Sequence, residues 1–235
     1  WYTGTAVTGT GTGIAATVTG SKQYDMYLNT TTKRVYQATN ANVWDYKFTN
    51  VSHYDARFVI GNTSAGYTAD QCDYLCDGTD DQVEINAAIA ALPATGGKIV
   101  LLDGAYNITA DITMNKANVE LCGTNATRLI FANAASIVRI YITANNCSVH
   151  NLQLTGSQVD MSKGIVCAAS CKYLQFYNLQ MYKGEICLSA CITVLITKNI
   201  IGANAGNNSG YNYGVRIENG CSNITVSDND LTGSY

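Results

Sequence analysis

Side chains that could act as acid and base are few in this 235-residue chain, and their spacing keeps them apart. A glycoside hydrolase needs two or three carboxylates around the scissile bond. A polysaccharide lyase needs carboxylates that hold calcium, with an arginine or lysine to abstract a proton. The acids on the repeating part of the chain, Glu120, Asp160, Glu185, Glu218, Asp228 and Asp230, are mostly single and fall in different repeats. Glu185 follows its repeat's glycine by one position and Glu218 follows by four, so the pattern gives them no common face. His53 and His150 are the only histidines, and His150, alternating with Val149 and Asn151, reads as an exposed strand residue rather than a base. Asp77, Asp80 and Asp81 could bind a cation, but they precede a helix and a role at its N-terminus explains them without one. These residues imply no metal, no cofactor and no catalytic set, and they argue against an enzyme while leaving the question open.

A sugar-binding surface is better supported. Tyr173, Tyr177, Tyr182, Tyr211 and Tyr213 lie near corners or loops, and Asn204, Asn207, Asn208 and Asn212 crowd a loop enlarged relative to the other repeats. Aromatic faces beside amides suit glycans, and enlarged loops on a repetitive scaffold are where binding concentrates. The same tyrosines could instead pack between loops or at a subunit boundary.

The elements that must position these side chains are announced by repetition. Three phrases, Gly164 to Cys171, Gly184 to Cys191 and Gly214 to Cys221, each end in cysteine seven positions after glycine, and they start 20 and then 30 residues apart. After each cysteine come alternating apolar residues and an asparagine: Val149, Asn151, Leu152 and Leu154; Leu174, Phe176, Asn178, Leu179 and Met181; Val194, Ile196, Asn199 and Ile200; Ile224, Val226, Asn229 and Leu231. Alternation of period two puts the apolar set on one face of a strand, and asparagine or glycine at the break supplies left-handed backbone for a corner. A period of this length signals a solenoid, and a parallel β-helix is its closed solution, because each coil pairs with those above and below. Cys122, Cys147, Cys171, Cys191 and Cys221, with Cys167 and Cys187, are expected as inward columns of small apolar side chains. Cys72 and Cys76 read as neighbours on one side of a segment or as a local disulfide, with a metal pair as the other alternative. Nine cysteines that follow the repeat leave the redox compartment open.

Nearly half the residues are hydrophobic and only one is proline, so the chain can bury a long core. A net charge of −3 offers no basic field for nucleic acid, and no apolar run reaches the roughly 20 residues of a membrane span. The start at Trp1 and the stop just after a repeat read as a piece of a longer chain. Residues 1–20 alternate threonine, glycine and small apolar residues and are expected to lean on a partner. Met26–Leu28, Arg34–Gln37 and Val43–Phe48 read as a three-stranded meander, too small to stand alone and therefore expected to oligomerise. Thr79 with Gln82 reads as a capping box, and Val83, Ala87, Ile89, Ala90 and Leu92 as the apolar face of a helix stopped by Pro93. Such a helix would close the open end of the solenoid, with Gly96-Gly97 leading into its first strand.

The order Asp25-Met-Tyr-Leu-Asn29, then Val35-Tyr36, then a strand at Trp44, resembles the small β modules of bacteriophage tail-fibre and tailspike proteins. That resemblance implies a trimeric, structural module over roughly residues 1–60 and carries no catalytic residue. From Asp77 to about Gly123 the form Asp-Gly-x-x-Asp-Asp, helix, Gly-Gly, apolar strand and Gly104-Ala-Tyr106 resembles the start of the pectate-lyase-like right-handed parallel β-helix superfamily. Of the polygalacturonase motifs within that superfamily, only Arg216-Ile217-Glu218 is similar to one, and its glutamate reverses the needed charge. The expected protein is therefore all-β. It has a small antiparallel β module at 1–60, a linker at 61–76, and a capping α-helix with a right-handed single-stranded parallel β-helix at 77–235. The resemblance implies a virion protein of the tail, extracellular and homotrimeric, that meets other phage tail proteins and host cell-surface polysaccharide, with no nucleic acid and no membrane insertion. The alternatives are an extracellular polysaccharide depolymerase, lyase or glycoside hydrolase, and a bacterial surface adhesin.

Overall fold

The computed structural model describes the backbone of five strands within the first 46 residues, and then residues 56–124, 126–132, 139–156, 164–182, 184–202 and 214–231. The chain divides into two compact units, Trp1–Ser52 and His53–Tyr235. The first holds β1 (Tyr2–Gly4), β2 (Ile14–Ala15), β3 (Met26–Asn29), β4 (Arg34–Asn40) and β5 (Val43–Tyr46). β3, β4 and β5 form an antiparallel meander at the three runs expected. The Thr/Gly-rich opening adds β1, parallel to β3, and β2, antiparallel to β5.

The second unit begins with β6 (Arg57–Asn62), a 3-10 turn at Thr63–Ala65, β7 (Tyr74–Cys76) and α1 (Gln82–Ala91). Fourteen strands follow: β8 (Gly97–Leu101), β9 (Gly104–Ile108), β10 (Ile112–Met114), β11 (Val119–Cys122), β12 (Thr127–Phe131), β13 (Ile140–Ile142), β14 (Ser148–Gly156), β15 (Ile165–Cys167), β16 (Lys172–Tyr182), β17 (Ile186–Leu188), β18 (Ile192–Thr197), β19 (Ile200–Gly202), β20 (Val215–Ile217) and β21 (Ser222–Ser227). Residues 61–76, expected as a linker, thus hold the end of β6, the turn and β7, and β6 pairs in parallel with both β7 and β8. Among the described residues every strand pairing in this unit is parallel. One sheet stacks β10, β13, β15, β17 and β20; a larger one stacks β7, β6, β8, β11, β14, β16, β18 and β21, with β12 between β9 and β14 and β19 beside β16. From β10 onward the chain passes alternately between the two sheets and lands one place further along at each return. Among the described residues the fold is mostly β, with parallel sheets and one α-helix.

Register turns the alternation into columns. Ile99, Leu121, Val149, Phe176 and Ile196 are successive partners in the larger sheet and all are fully buried. In the smaller sheet Ile112, Ile140, Ile165 and Ile186 do the same. Each such side chain contributes about 1.5–3 kcal/mol by leaving water. Corners also repeat: Gly96, Asn118, Asn146, Ser170, Ala190 and Gly220 all have positive φ, each one residue ahead of a Gly, Val or Cys that begins the next inward run. A second set, Asn151, Asn178, Lys198 and Asp228, marks the bend in the middle of each coil.

The helix is where expected, but its chemistry differs. The N-cap is Asp81, and its side chain caps no helix N–H. Its Oδ1 accepts from Gly78 N at 2.8 Å, and its Oδ2 accepts from Asn107 N at 2.7 Å and Asn62 Nδ2 at 3.2 Å. Burial pushes this carboxyl's pKa up against those three donors. Gln82 does not complete a capping box with Thr79; its amide pairs both ways with Thr109. Asn86 likewise donates to Asp111 O and accepts from Thr113 N, so the helix supplies side-chain amides to the backbone flanking β10, the edge of the smaller sheet. The buried face is Ile85, Ala88, Ile89 and Leu92, while Val83, Ala87 and Ala90 are exposed.

All nine cysteines are thiols, with no disulfide joining any two of them. Cys147, Cys171, Cys191 and Cys221 form a ladder in which each Sγ donates to a carbonyl of the preceding coil, at Lys116, Ile142, Ala168 and Leu188. Cys122 and Cys187 are buried yet lie outside the core cluster, so the expectation that they point inward is corrected: the pleat puts them opposite Leu121 and Ile186. Burial pushes the Cys147 thiol up and that of Cys171 up to about 11. Only Cys72 and Cys221 are partly exposed. An aromatic disulfide reagent at neutral pH is therefore expected to label two thiols fast in the folded protein and the other seven only on unfolding. Fast labelling of four or more would show that the coils do not exclude solvent as described.

Candidate functional site

The outward face of the larger sheet carries two polar groupings on either side of the mid-coil bend. On the first side, Glu120 pairs in register with Lys98, and Cys122 with His150, which in turn pairs with Tyr177. Strands about 4.8 Å apart bring these side chains into contact. Lys98 Nζ lies 2.5 Å from Glu120 Oε1, and His150 Nε2 lies 2.8 Å from the same oxygen. The His150 and Tyr177 rings stack with centroids 4.2 Å apart and planes 10° from parallel. Burial works to raise the Glu120 carboxyl, but hydrogen bonds from Lys98 and His150 outweigh it and hold its pKa below the usual range. The Glu120 hydrogen bond in turn raises Lys98. Burial raises Cys122 and Tyr177. His150 is not the exposed strand residue expected: its side chain is 6% exposed, and its Nδ1 is buried without a hydrogen-bond partner. The burial comes from cross-strand neighbours 27 and 30 residues away, which a local pattern does not contain.

Beyond the bend lies a hollow of about 260 Å³ lined by Thr124, Asn151, Leu152, Gln153, Asn178 and Gln180. Asn151 and Asn178 take positive φ at equivalent corners, and Asn178 Nδ2 donates to Asn151 Oδ1 at 2.7 Å. Gln153 and Gln180 are register partners flanked by the buried pairs Leu152–Leu179 and Leu154–Met181, so the pleat turns both amides outward. Four carboxamides and a hydroxyl thus face one polar recess, and none of its lining residues is charged.

Among the described residues, the tyrosines singled out from the sequence are not gathered here. Tyr173 and Tyr182 are exposed at opposite ends of β16, and Tyr177 is the ring stacked on His150. Tyr211, Tyr213, Asn204, Asn207 and Asn212 lie outside the described residues. Asn151 and Asn178 were legible as corners, and Gln153 and Gln180 as outward strand positions, but their convergence needs the register. Glu185 and Glu218, for which the sequence showed no common face, share Arg216: its Nη2 is 3.0 Å from Glu185 Oε1 and its Nη1 is 2.9 Å from Glu218 Oε1. An arginine held between two carboxylates engages one oxygen of each, which suits packing better than acid–base work.

The geometry defines a class, a mostly β protein of parallel sheets whose outward strand positions carry polar sites. Neither the protein-family models nor the curated proteins compared with the chain match it. Among solved structures it is similar to ORF18 of Geobacillus virus E2, at 15% identity with a TM-score of 0.47. That similarity covers 87% of this chain and 45% of the viral one, so the chain spans under half the length of the structure it matches.

Proposed function

We propose that this chain is an adhesive segment of a phage-type tail fibre or tailspike, in which a right-handed parallel β-helix shaft presents the amide-lined hollow to host surface glycans. The alternation of the chain between two parallel sheets supports the β-helix, and the order of residues around Met26, Val35 and Trp44 supports the tail module and a homotrimer. The hollow carries the functional reading. Amides both donate and accept, as sugar hydroxyls do, and the uncharged lining suits a neutral or weakly charged glycan. The arginine-clamped Glu185 and Glu218 favour adhesion over depolymerisation.

The test is saturation-transfer NMR of the whole chain with oligosaccharides released from bacterial surface polysaccharides, alongside the native mass by light scattering. Transfer to a glycan that falls about tenfold in affinity in Gln153→Ala/Gln180→Ala is the expected result, in line with about 1.4 kcal/mol for lost hydrogen bonds. A mass three times the 25.1 kDa chain is expected for the trimer. Cleavage of the oligosaccharide would replace this reading with the depolymerase, and binding that ignores the double substitution would move the site off the hollow.

A further inference from the structure

We propose that Glu120, Cys122 and His150 form a binding site for a thiophilic divalent cation of the zinc class, independent of the glycan hollow. One ligand atom from each residue, a carboxylate oxygen, a thiol sulfur and an imidazole nitrogen, lies within 4.8 Å of the other two. In a tetrahedral zinc site, bonds of about 2.0–2.3 Å set such atoms roughly 3.3–3.8 Å apart, so the 2.8 Å contact between His150 Nε2 and Glu120 Oε1 would open slightly while the sulfur stays within 4.8 Å of both. The scaffold keeps this adjustment small. Glu120 and Cys122 are two apart on β11 and so share a face, and His150 sits directly opposite Cys122 on β14. The imidazole is held at one end by Glu120 and across its face by Tyr177, and it is one hydrogen-bond partner short, with buried Nδ1 unpaired. A mixed O, S and N donor set selects zinc or cobalt over calcium and magnesium, which take oxygen ligands. Three protein ligands leave a fourth position to water. On binding, the Cys122 S–H bond breaks, the proton leaves to solvent, and sulfur keeps the electron pair that forms the metal bond.

Lys98 makes the proposal discriminating. Its ammonium occupies the Glu120 oxygen that the metal would use, so it competes as a resident cation, and its side chain is 39% exposed and free to swing into water. Removing that charge is expected to strengthen metal binding, whereas a site away from Glu120 and Cys122, both of which Lys98 faces, would not respond.

The experiment titrates the whole chain, reduced and freed of metal by a chelator, with Co²⁺ by absorption and with Zn²⁺ by calorimetry. A thiolate-to-cobalt charge-transfer band at one equivalent is expected, with affinity falling at least about tenfold in Cys122→Ser and in His150→Gln and rising several-fold in Lys98→Gln. Cys76→Ser serves as the control, because Cys76, Asp81 and Glu84 form the other cluster of possible ligands among the described residues, and it is expected to leave the band unchanged. Circular dichroism confirms that each variant is folded. If Cys122→Ser does not fold, the His150 and Lys98 variants still decide the matter by their opposite signs. Absence of a band at millimolar Co²⁺, a band that survives Cys122→Ser, or affinity unmoved by both His150→Gln and Lys98→Gln would overturn the proposal.

Discussion

Gly96→Ala is expected to destabilise the protein by about 3–5 kcal/mol, roughly 10 °C in melting temperature for a chain of this size. Two costs coincide at this corner. Gly96 has φ of 91°, where an L side chain is strained by about 1–2 kcal/mol. A Cβ there would also lie 2.3 Å from Asn118 O and 2.4 Å from Ala117 O. Those atoms are backbone of the adjoining coil, and Asn118 O already accepts from Gly97 N at 3.0 Å. Relief by moving apart would break the ladder that defines the stack. Gly66→Ala separates the two costs, since Gly66 has nearly the same φ, 87°, and a methyl group at that position would meet no atom within 4 Å. It is expected to lose only about 1 kcal/mol, the conformational part alone. Urea melts followed by circular dichroism would show the difference, and equal midpoints for the two variants would refute the steric half of the argument.

What the sequence makes legible is the repeat, and what it hides is whatever depends on register. The columns through Leu121, Val149, Phe176 and Ile196 follow from period-two alternation, because the pleat sends every second side chain inward whatever its partner is. The capping helix was legible from its flanking acids and Pro93, and Ile89 and Leu92 are buried as read, but Ile85 and Ala88 were not legible, since the sheet edge they cover selects them. Cys122 and His150 show the same limit. The repeat cast Cys122 as inward and His150 as exposed, whereas both lie on the outward face, and only pairing across coils explains why that face is buried there. The hollow is a product of two coils at once, so no single repeat contains it. The tyrosines of β16 show the same limit: Tyr173 and Tyr182 are close in sequence, whereas a strand of 11 residues carries them to opposite ends.

Asn199→Ala is expected to cost about 3–5 kcal/mol, although the sequence casts this residue as an ordinary corner asparagine. The corner is in fact Lys198, with φ of 57°, as Asp228 is in the next coil. The pairings Phe176 with Ile196 and Gln180 with Ile200 keep one offset through the bend, so Asn199 stands in the inward position that Leu179 fills one coil earlier, where it is 1% exposed. There its Oδ1 accepts from Leu179 N at 2.9 Å, and its Nδ2 donates to Phe176 O at 3.0 Å and to Asn229 Oδ1 at 2.9 Å. Alanine would leave a buried N–H and a buried C=O of β16 unpaired, each at about 1–3 kcal/mol. Asn229→Ala is expected to cost less in this chain, because Asn229 is partly exposed in the last described coil, where water can replace its bonds to Ile196 O and Asn199 N. Asn199→Asp tests the donor specifically. The introduced carboxylate would face Phe176 O and Asn229 Oδ1 with no proton to give, so burial and repulsion would raise its folded pKa above that of the unfolded chain. A group raised in this way is most favourable below its unfolded pKa and loses that contribution as pH rises through the folded value. The aspartate variant is therefore expected to approach the wild-type midpoint near pH 4 and fall away toward pH 7, whereas the alanine variant keeps a constant deficit. A deficit for Asn199→Asp that does not change between those pH values would show that Nδ2 is not the atom that joins these coils.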